Sequence, residues 1–458
     1  MQNTLKIPLG RRSGLTVLAA LAVFLAFAAV ATAQEERKWT SETTGDGHIL
    51  VKNAGGAELG YHPSSGVAIL TVDGFAFKDL NKNGTLDIYE DWRRPTGERA
   101  KDLAAQMSIE EIAGLMLYSS HQDINADVSE AQRKFLVDEH VRAVLIATYS
   151  SKADAAKWNN NAQAYAEKIG KGIPINTSSD PRSSTSSGEA YSSGDGDISL
   201  WPGNLGFAAT FDPDVVQKFG EIASREYRAL GIATALSPQI DLATEPRWMR
   251  IDGTFGENTL LTTDMTRAYV DGFQTTPGSE NGWGRHSVNS MIKHWPGDGV
   301  TEKGRESHTF AGKYAVYPGK NFEEHLKPFI NGGLKLAGPT GQSSAVMTSY
   351  SAAFDEGKAY GEVVGSGFSK WKITDLLREK YGYDGVVCTD WFISGRMGTT
   401  DNLSYEKDGL YQPNLEMLFD SWGISWGLEY GISVIERFYK IIEAGADQFG
   451  GENSSVPV

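Results

Sequence analysis

Short apolar runs alternate with amphipathic helical stretches from about residue 110 to the end of the chain. Several of these runs are apolar throughout, as strands of a parallel sheet are when helices cover both faces. Runs of this kind lie at 113–119, 141–149, 173–180, 233–243, 288–295, 344–351, 385–391 and 446–451. Eight strands joined by helices predict an α/β fold, specifically a (β/α)8 TIM-type barrel. An open doubly wound sheet is the alternative.

Helix boundaries are marked by capping residues between these runs. Asp212 and Pro213 predict an N-cap and a first turn, and Gly231 predicts the end of the same helix. Ser108 and Glu111 have the spacing of a capping box ahead of the first run. The buried stripe predicted for the helix after Asp212 consists of Val215, Phe219, Ile222 and Tyr227.

The N-terminus has the residue order of a secretory signal. Lys6, Arg11 and Arg12 precede an apolar run at 15–30, which ends in the small residues 31–33. A retained membrane anchor is the alternative, but an anchor needs about 20 apolar residues and this run is shorter. The pattern therefore predicts cleavage after residue 33 and a secreted or periplasmic mature chain without a membrane span.

Two stretches interrupt the alternation, at 178–199 and 392–424, and both predict long loops after strands. After the last apolar run only residues 452–458 remain, so the sequence predicts a barrel without its last helix. The predicted regions are a signal peptide at 1–33, an N-terminal segment at 34–95 and a barrel at 96–458.

Charge and cysteine content exclude several classes of function. The chain contains 43 Lys and Arg against 58 Asp and Glu, which gives a net charge of −15 with no basic block. Binding to nucleic acid depends on neutralising phosphates with clustered basic residues, so no nucleic-acid partner is predicted. Cys388 is the single cysteine, which excludes an internal disulfide and a cysteine-based metal cluster. We interpret Cys388 as a small core residue.

Polar side chains follow the apolar runs, where strands of a barrel present the active site. Burying polar groups without partners is costly, so many of them at one rim predict a hydroxyl-rich ligand. Asp390 beside Trp391 offers a carboxylate nucleophile next to an apolar platform for a sugar ring. For a single Arg or Lys, a structural ion pair is the alternative. The rim residues are Asp180, Arg247, Arg250, Lys293, His294, Tyr350, Asp390, Trp391 and Gln448.

Several long segments also carry a resemblance: DLNKNGTLDIYEDWRRPTGERAKDLAAQMSIEEIAGLM, ATEPRWMRIDGTFGEN, KHWPGDG followed by GRESH, YAVYPGKNFEEHLKPF and YGYDGVVCTDW. Over about residues 75 to 450 the chain resembles the β-glucosidase branch of glycoside hydrolase family 3. The resemblance implies a retaining β-glycosidase that removes terminal non-reducing β-D-glucosyl residues through a covalent glycosyl-enzyme. It implies Asp390, in VVCTDW, as the nucleophile. The ligand-holding positions it implies are Asp180, Arg250, Lys293, His294 and Arg305.

The chain departs from that branch in one respect, the source of the general acid. Members usually carry a second α/β sandwich domain with an acid/base Glu, and this sequence stops before it. General acid catalysis contributes about 10²–10⁴-fold, so one alternative is a truncated, catalytically weak sugar-binding barrel completed by a separate sandwich-domain partner chain. Another is suggested by Glu306-Ser307-His308, which resembles the acid/base dyad of the N-acetylglucosaminidase branch, with His308 as the acid/base. The expected substrates are β-linked oligosaccharides or aryl and alkyl glucosides.

A segment in the N-terminal region fits the EF-hand loop pattern D-x-[DN]-x-[DN]-G-x5-E. Its oxygen-bearing positions predict a structural calcium site, while a turn held by Asx hydrogen bonds is the alternative. No cofactor is expected for catalysis, and His62, His121 and His140 show no metal-like spacing. The loop positions are Asp79, Asn81, Asn83, Gly84, Asp87 and Glu90.

Overall fold

The computed structural model describes most of the chain outside its N-terminus. The described residues are 36–183, 198–308, 312–394, 404–407, 410–413, 425–428 and 432–458, with 404–407 and 410–413 as backbone. The predicted signal peptide and much of the two predicted loops therefore lie outside the described residues.

Residues 36–95 form antiparallel β structure, which is an addition to the sequence prediction. A three-stranded sheet is followed by a hairpin, with strands β1 (Trp39–Thr43), β2 (Ile49–Asn53), β3 (Glu58–Tyr61), β4 (Ala68–Val72) and β5 (Phe75–Asp79). The hairpin turns at Asp73 and Gly74, whose φ values of 54° and 81° match the twist of the flanking strands. The second strand of the hairpin ends at Asp79, which is the first residue of the predicted EF-hand-like loop.

Seven parallel strands form the central sheet, in the order β14-β12-β10-β9-β8-β7-β6. Single parallel bridges join Leu117 to Phe449 and Cys388 to Gln448, and so connect the two edges of the sheet. This connection is the arrangement of a TIM-like barrel and not of an open doubly wound sheet. The remaining strands are β6 (Gln122–Ile124), β7 (Ala143–Tyr149), β8 (Asn176–Ser179), β9 (Thr234–Ala235), β10 (Asn289–Trp295), β11 (Tyr314–Val316), β12 (Ala345–Thr348), β13 (Ala352–Phe354), β14 (Val386–Cys388), β15 (Ser404–Lys407) and β16 (Leu410–Pro413).

The predicted strand at 113–119 is mostly wrong. The capping box of Ser108 and Glu111 is present as predicted, but the helix that it starts runs through Leu115. Only the last residues of this run pair, with the backbone N–H of Tyr118 donating to the carbonyl of Phe449 at 2.9 Å. The capping box favours a helix over the strand that the apolar character of the run predicted.

The helices cover the outside of the sheet. They are α1 (Thr96–Gln106), α2 (Ile109–Leu115), α3 (Glu130–Val137), α4 (Lys152–Lys168), α5 (Asn204–Ala208), α6 (Pro213–Ala229), α7 (Thr259–Gln274), α8 (Phe322–Lys327) and α9 (Val434–Ala444), with wider helical turns at Pro328–Gly333 and Trp371–Lys380. Asp212 caps α6 as predicted, because its side chain accepts from the N–H of Asp214. Val215 is 36% exposed, and Val216 takes its place in the buried stripe.

Helices α6 and α7 cross at two glycines. A Cβ atom on Gly220 would lie 2.9 Å from the Cα of Gly272, so only a hydrogen atom fits between the two backbones. Within the described part of the chain, no helix is long and apolar enough to cross a bilayer.

Two apolar clusters lie on opposite faces of the sheet, because successive strand residues point to opposite sides. Val144, Ile292 and Val346 belong to the larger cluster, together with helical residues such as Phe219 and Phe273. The smaller cluster contains strand neighbours of those residues and marks the interior of the ring; it includes Leu145, Leu236, Met291, Ala345, Met347 and Cys388. This interior cluster is the floor beneath the candidate site.

Candidate active site

A small cavity lined mainly by charged, polar and aromatic side chains lies above the interior cluster and opens to solvent. Eight of the nine residues predicted for catalysis or substrate binding line it, and Arg305 does not. The lining consists of His121, Leu145, Asp180, Leu236, Arg250, Lys293, His294, His308, Met347, Tyr350, Asp390 and Trp391.

Strand ends bring these distant residues together. Asp180 follows β8 directly, and Asp390 comes two residues after the end of β14. Lys293 lies two residues after Met291 in β10, so the alternation of a strand sends both side chains into the ring. The predicted rim of polar groups therefore forms one continuous surface.

Asp390 is the central carboxylate of the cavity. Its side chain is 8% exposed, and Oδ1 accepts the backbone N–H of Trp391 at 2.7 Å. Oδ2 is buried and has no hydrogen-bond partner among the described residues. The Nε2 atom of His294 lies 3.5 Å from Oδ2. One carboxylate oxygen is thus held by the backbone, and the other makes no hydrogen bond to the described residues.

A fully buried carboxylate, Asp241, contacts the ring nitrogen of His294 that faces away from Asp390. Asp241 Oδ2 lies 2.8 Å from Nδ1 of His294, and Asp241 Oδ1 accepts the backbone N–H groups of His294 and Asp298. Burial lowers the pKa of His294 well below its usual value, so the imidazole is neutral near pH 7. Burial raises the pKa of Asp298 to about 7, and the charges of Asp241 and Glu306 add to this shift.

Two cations face the carboxylates. Lys293 Nζ lies 2.5 Å from Asp180 Oδ1, so this lysine is an ion-pair partner as well as part of the cavity wall. Arg250 has a buried Nη1 atom with no hydrogen-bond partner among the described residues. Burial disfavours the charged guanidinium, but the charges of Glu306 and Asp390 outweigh it and raise the pKa of Arg250. An unpaired, charged Nη1 is suited to binding a hydroxyl group.

Glu306 and His308 form a second carboxylate–histidine pair. Glu306 Oε1 lies 2.5 Å from Nδ1 of His308, and Oε2 accepts the indole N–H of Trp248 at 2.9 Å. Burial alone would raise the pKa of Glu306, but the hydrogen bond and charge of His308, together with the charge of Arg250, lower it to about 2. The His308 ring packs on Tyr350, with centroids 4.3 Å apart.

Aromatic residues close the remaining wall. The hydroxyl of Tyr350 donates to the carbonyl of Trp391 at 2.6 Å, and burial together with nearby Asp390 raises the pKa of Tyr350 well above 10. The indole N–H of Trp391 donates to the carbonyl of Ser119 at 3.3 Å, and its ring packs on Tyr118. These contacts fix Trp391 as a rigid apolar surface next to Asp390.

Three residues that the sequence suggested for the rim or for holding the ligand do not line the cavity. Arg305 is 46% exposed and pairs with Glu302 at 3.4 Å, because in its segment the following Glu306 points inward and Arg305 points outward. Arg247 forms an exposed ion pair with Glu245 at 2.7 Å. Gln448 contributes its backbone to the bridge that connects the sheet edges. The pair of Arg247 with Glu245 matches the alternative given for a single Arg or Lys, a structural ion pair, and Arg305 lies outside the cavity in which the resemblance placed it.

Two residues of the site were missed from the sequence: His121 in the cavity wall and Asp241 behind it. His121 lines the cavity just after the first predicted strand, but its lack of metal-like spacing removed it from consideration. Asp241 lies within the apolar run at 233–243, where a buried acid among apolar neighbours is itself a signal of function. Cys388, by contrast, is fully buried in the interior cluster, in agreement with its interpretation as a core residue.

The predicted calcium loop is held by its own hydrogen bonds. The two oxygens of Asp79 accept the N–H groups of Asn83 and Gly84, each at 3.0 Å. Glu90 accepts three backbone N–H groups of the loop, and Asp87 accepts from the amides of Asn81 and Asn83. Within the described ranges, no group of three or more His, Cys, Asp or Glu side chains is arranged to hold a metal. The geometry matches the alternative reading, a turn held by Asx hydrogen bonds.

Fold and cavity together define a class: a parallel α/β barrel with an acidic, hydrogen-bonding pocket at the carboxyl ends of its strands. Residues 105–408 match the model of the glycosyl hydrolase family 3 N terminal domain. The chain therefore belongs to glycosyl hydrolase family 3.

Relatives with assigned names agree with this family. The chain is 41% identical over 401 residues to a periplasmic beta-glucosidase/beta-xylosidase of Dickeya chrysanthemi, covering 85% of this chain and 58% of the relative. It is 37% identical over 378 residues to beta-glucosidase C of Emericella nidulans, covering 82% of this chain and 56% of the relative. A solved β-glucosidase structure from Erythrobacter marinus has the same fold, with a TM-score of 0.61 at 22% identity over 81% of this chain and 42% of that one. The chain thus spans just over half the length of the curated relatives it matches.

Proposed function

We propose that this protein is a retaining β-glycosidase that hydrolyses terminal β-D-glucosyl residues, with Asp390 as the nucleophile. The observation that supports this most is Asp390, which lines a cavity of charged and aromatic side chains and whose Oδ2 atom makes no hydrogen bond to the described residues. The names of the relatives, β-glucosidase and β-xylosidase, support the substrate class. No cofactor takes part in the proposed chemistry.

In the proposed mechanism, Asp390 Oδ2 attacks the anomeric carbon of a bound glucoside. The bond to the leaving-group oxygen breaks, and that oxygen takes a proton from a general acid. Water then attacks the anomeric carbon of the covalent glycosyl-enzyme, a base takes its proton, and Asp390 leaves as a carboxylate. Asp180, Arg250, Lys293 and His294 hold the sugar hydroxyls, and Tyr350 and Trp391 bound the ring.

His308 is the candidate for the acid/base role within the described part of this chain. It lines the same cavity as Asp390, and Glu306 contacts its Nδ1 atom; Nε2 is the ring nitrogen to which this proposal assigns proton transfer. With His308 as acid/base, the barrel would act in the manner of a β-N-acetylglucosaminidase. The alternative is a sugar-binding barrel of low activity that receives its acid/base from a separate sandwich-domain partner chain.

We also propose that the mature protein is secreted or periplasmic. The residue order of positions 1–33 supports export, and the first relative carries the word periplasmic in its name. Structural calcium at the 79–90 loop stays a sequence-based prediction.

Kinetics of residues 34–458 on an activated aryl β-glucoside and on cellobiose test the proposal. We expect aryl-glucoside cleavage that falls at least about a thousand-fold in Asp390→Ala, since the covalent step is lost. Unchanged cleavage by Asp390→Ala would refute the nucleophile. Cleavage of cellobiose by the wild type would support an acid within the chain, whereas cleavage of the aryl substrate alone would support the partner chain.

A further inference from the structure

Asp241 has four hydrogen-bonding partners around its two carboxyl oxygens. Its Oδ1 accepts the backbone N–H groups of His294 at 3.1 Å and Asp298 at 2.7 Å. Its Oδ2 accepts the side-chain amide of Gln239 at 3.1 Å and faces Nδ1 of His294 at 2.8 Å. An ionised carboxylate has about four acceptor positions, so these four donors fill it. The side chain is fully buried, and water cannot replace any of them.

This arrangement fixes the tautomer of His294. Three of the four partners, the two backbone N–H groups and the Gln239 amide, donate and so favour the ionised form of Asp241. The carboxyl group is also the stronger acid of the pair, with an ordinary pKa of about 3.9 against about 6.5 for imidazole, so the proton between it and His294 belongs to Nδ1. Burial raises the pKa of Asp241, and the N–H groups of His294 and Asp298 oppose that rise. His294 is neutral near pH 7 because burial lowers its pKa. A neutral imidazole carries one N–H, and with that proton on Nδ1 the Nε2 atom is an acceptor.

The tautomer explains the state of Asp390. Nε2 of His294 lies 3.5 Å from Asp390 Oδ2, and Oδ2 has no hydrogen-bond partner among the described residues. Two acceptors facing each other at this distance form no hydrogen bond. The lone pairs of Oδ2 therefore stay available for attack on an anomeric carbon.

We propose that Asp241 is a positioning residue: it holds the His294 proton on Nδ1 and thereby keeps Oδ2 of Asp390 free of a hydrogen bond. This inference rests on the proposed role of Asp390 as nucleophile. Asp241 is shielded from the cavity and does not touch substrate; it acts through His294.

Asp241→Asn is the decisive substitution. The new side chain keeps the acceptor for the two backbone N–H groups but presents an amide N–H to Nδ1, so His294 must move its proton to Nε2. Nε2 then donates to Asp390 Oδ2, and this bond to a charged group must break before attack. We expect kcat for an activated aryl β-glucoside to fall about 10- to 100-fold, with KM within about threefold of wild type.

Asp271→Asn is the matched control. Asp271 is also a buried carboxylate that accepts two backbone N–H groups, from Ala337 and Gly338, but it lies outside the cavity. We expect Asp271→Asn to lower the thermal midpoint without changing kcat or KM. If Asp241→Asn also lost stability but kept the wild-type kcat per folded molecule, the positioning role would be refuted.

The tautomer itself can be read by long-range 1H–15N correlation spectra of protein labelled at its 8 histidines. Loss of one set of signals in His294→Gln assigns the residue. We expect a protonated Nδ1 in the wild type and a protonated Nε2 in Asp241→Asn. A protonated Nε2 in the wild type would overturn the inference.

The two proposals fail separately. If Asp390→Ala keeps wild-type cleavage, the nucleophile is wrong and the inference falls with it. If Asp390→Ala abolishes cleavage while Asp241→Asn keeps the wild-type kcat, the proposed function stands and only the positioning role is refuted.

Discussion

Glu306→Gln gives the strongest test of the electrostatics of the site. The pKa of Glu306 is lowered from 4.5 to about 2, and a shift of about 2.5 units corresponds to about 3.4 kcal/mol at most. A carboxylate with a lowered pKa stabilises the fold above its unfolded pKa and loses that contribution as the pH falls through the folded pKa. Gln has the same shape without the charge. We therefore expect the variant to be less stable than wild type at pH 7, by about 2–3 kcal/mol once burial is considered.

The assay is urea denaturation of wild type and variant at several pH values. The difference in free energy of unfolding should be largest near pH 7, shrink as the pH falls below about 4.5, and be mostly lost at about pH 2. Glu302→Gln is the control, because Glu302 is an exposed partner of Arg305 and its substitution should change stability by less than about 0.5 kcal/mol. A difference for Glu306→Gln that is the same at pH 7 and pH 3 would refute the lowered pKa of Glu306.

Three other contacts lead to predictions that independent measurements can check. Lys293→Met leaves Asp180 without its partner at 2.5 Å, so kcat/KM for an aryl β-glucoside should fall at least about tenfold; an unchanged value would remove the lysine from the site. Calcium and chelator should leave the thermal midpoint unchanged, because the carboxylates of the 79–90 loop already accept backbone N–H groups such as Leu80; a rise of several degrees with calcium would restore the metal site. Gly220→Ala should cost about 1–3 kcal/mol of stability, since its Cβ would meet the backbone of α7 at 2.9 Å; an unaffected denaturation midpoint would contradict the close crossing.

The fold was predictable because the strand signal is strong where both faces are buried. The run that contains β10 is VNSMIKHW, whose apolar residues at 288, 291, 292 and 295 are buried, and the strand Asn289–Trp295 lies where the pattern places it. The pattern failed at 113–119, since an apolar run of this length suits a buried helix end equally well and only the cap decides. The sequence placed Val215 in the buried stripe of α6, but the neighbouring Val216 is the buried residue. Two adjacent valines fit the helical spacing almost equally well, so the pattern could not choose between them.

The site was predictable as far as strand ends could be located. Asp390 and Asp180 follow strands closely, so the topology alone brings them to one rim. Residues on loops escaped the same rule: Arg305 points outward while His308 points inward, and no periodicity governs that choice. Asp241 escaped because its function depends on a partner 53 residues away, and such pairs become visible only in three dimensions.

The ring is joined at its seam by single bridges between Leu117 and Phe449 and between Cys388 and Gln448. A neighbouring contact, from Ser120 to Asn453, spans 333 positions of the chain. During synthesis the ring therefore stays incomplete until Gln448 and Phe449 have emerged, more than 300 residues after Leu117, and the interior cluster is covered only then. Loss of residues 446–451 would leave an unclosed sheet edge, a state prone to pairing with other chains.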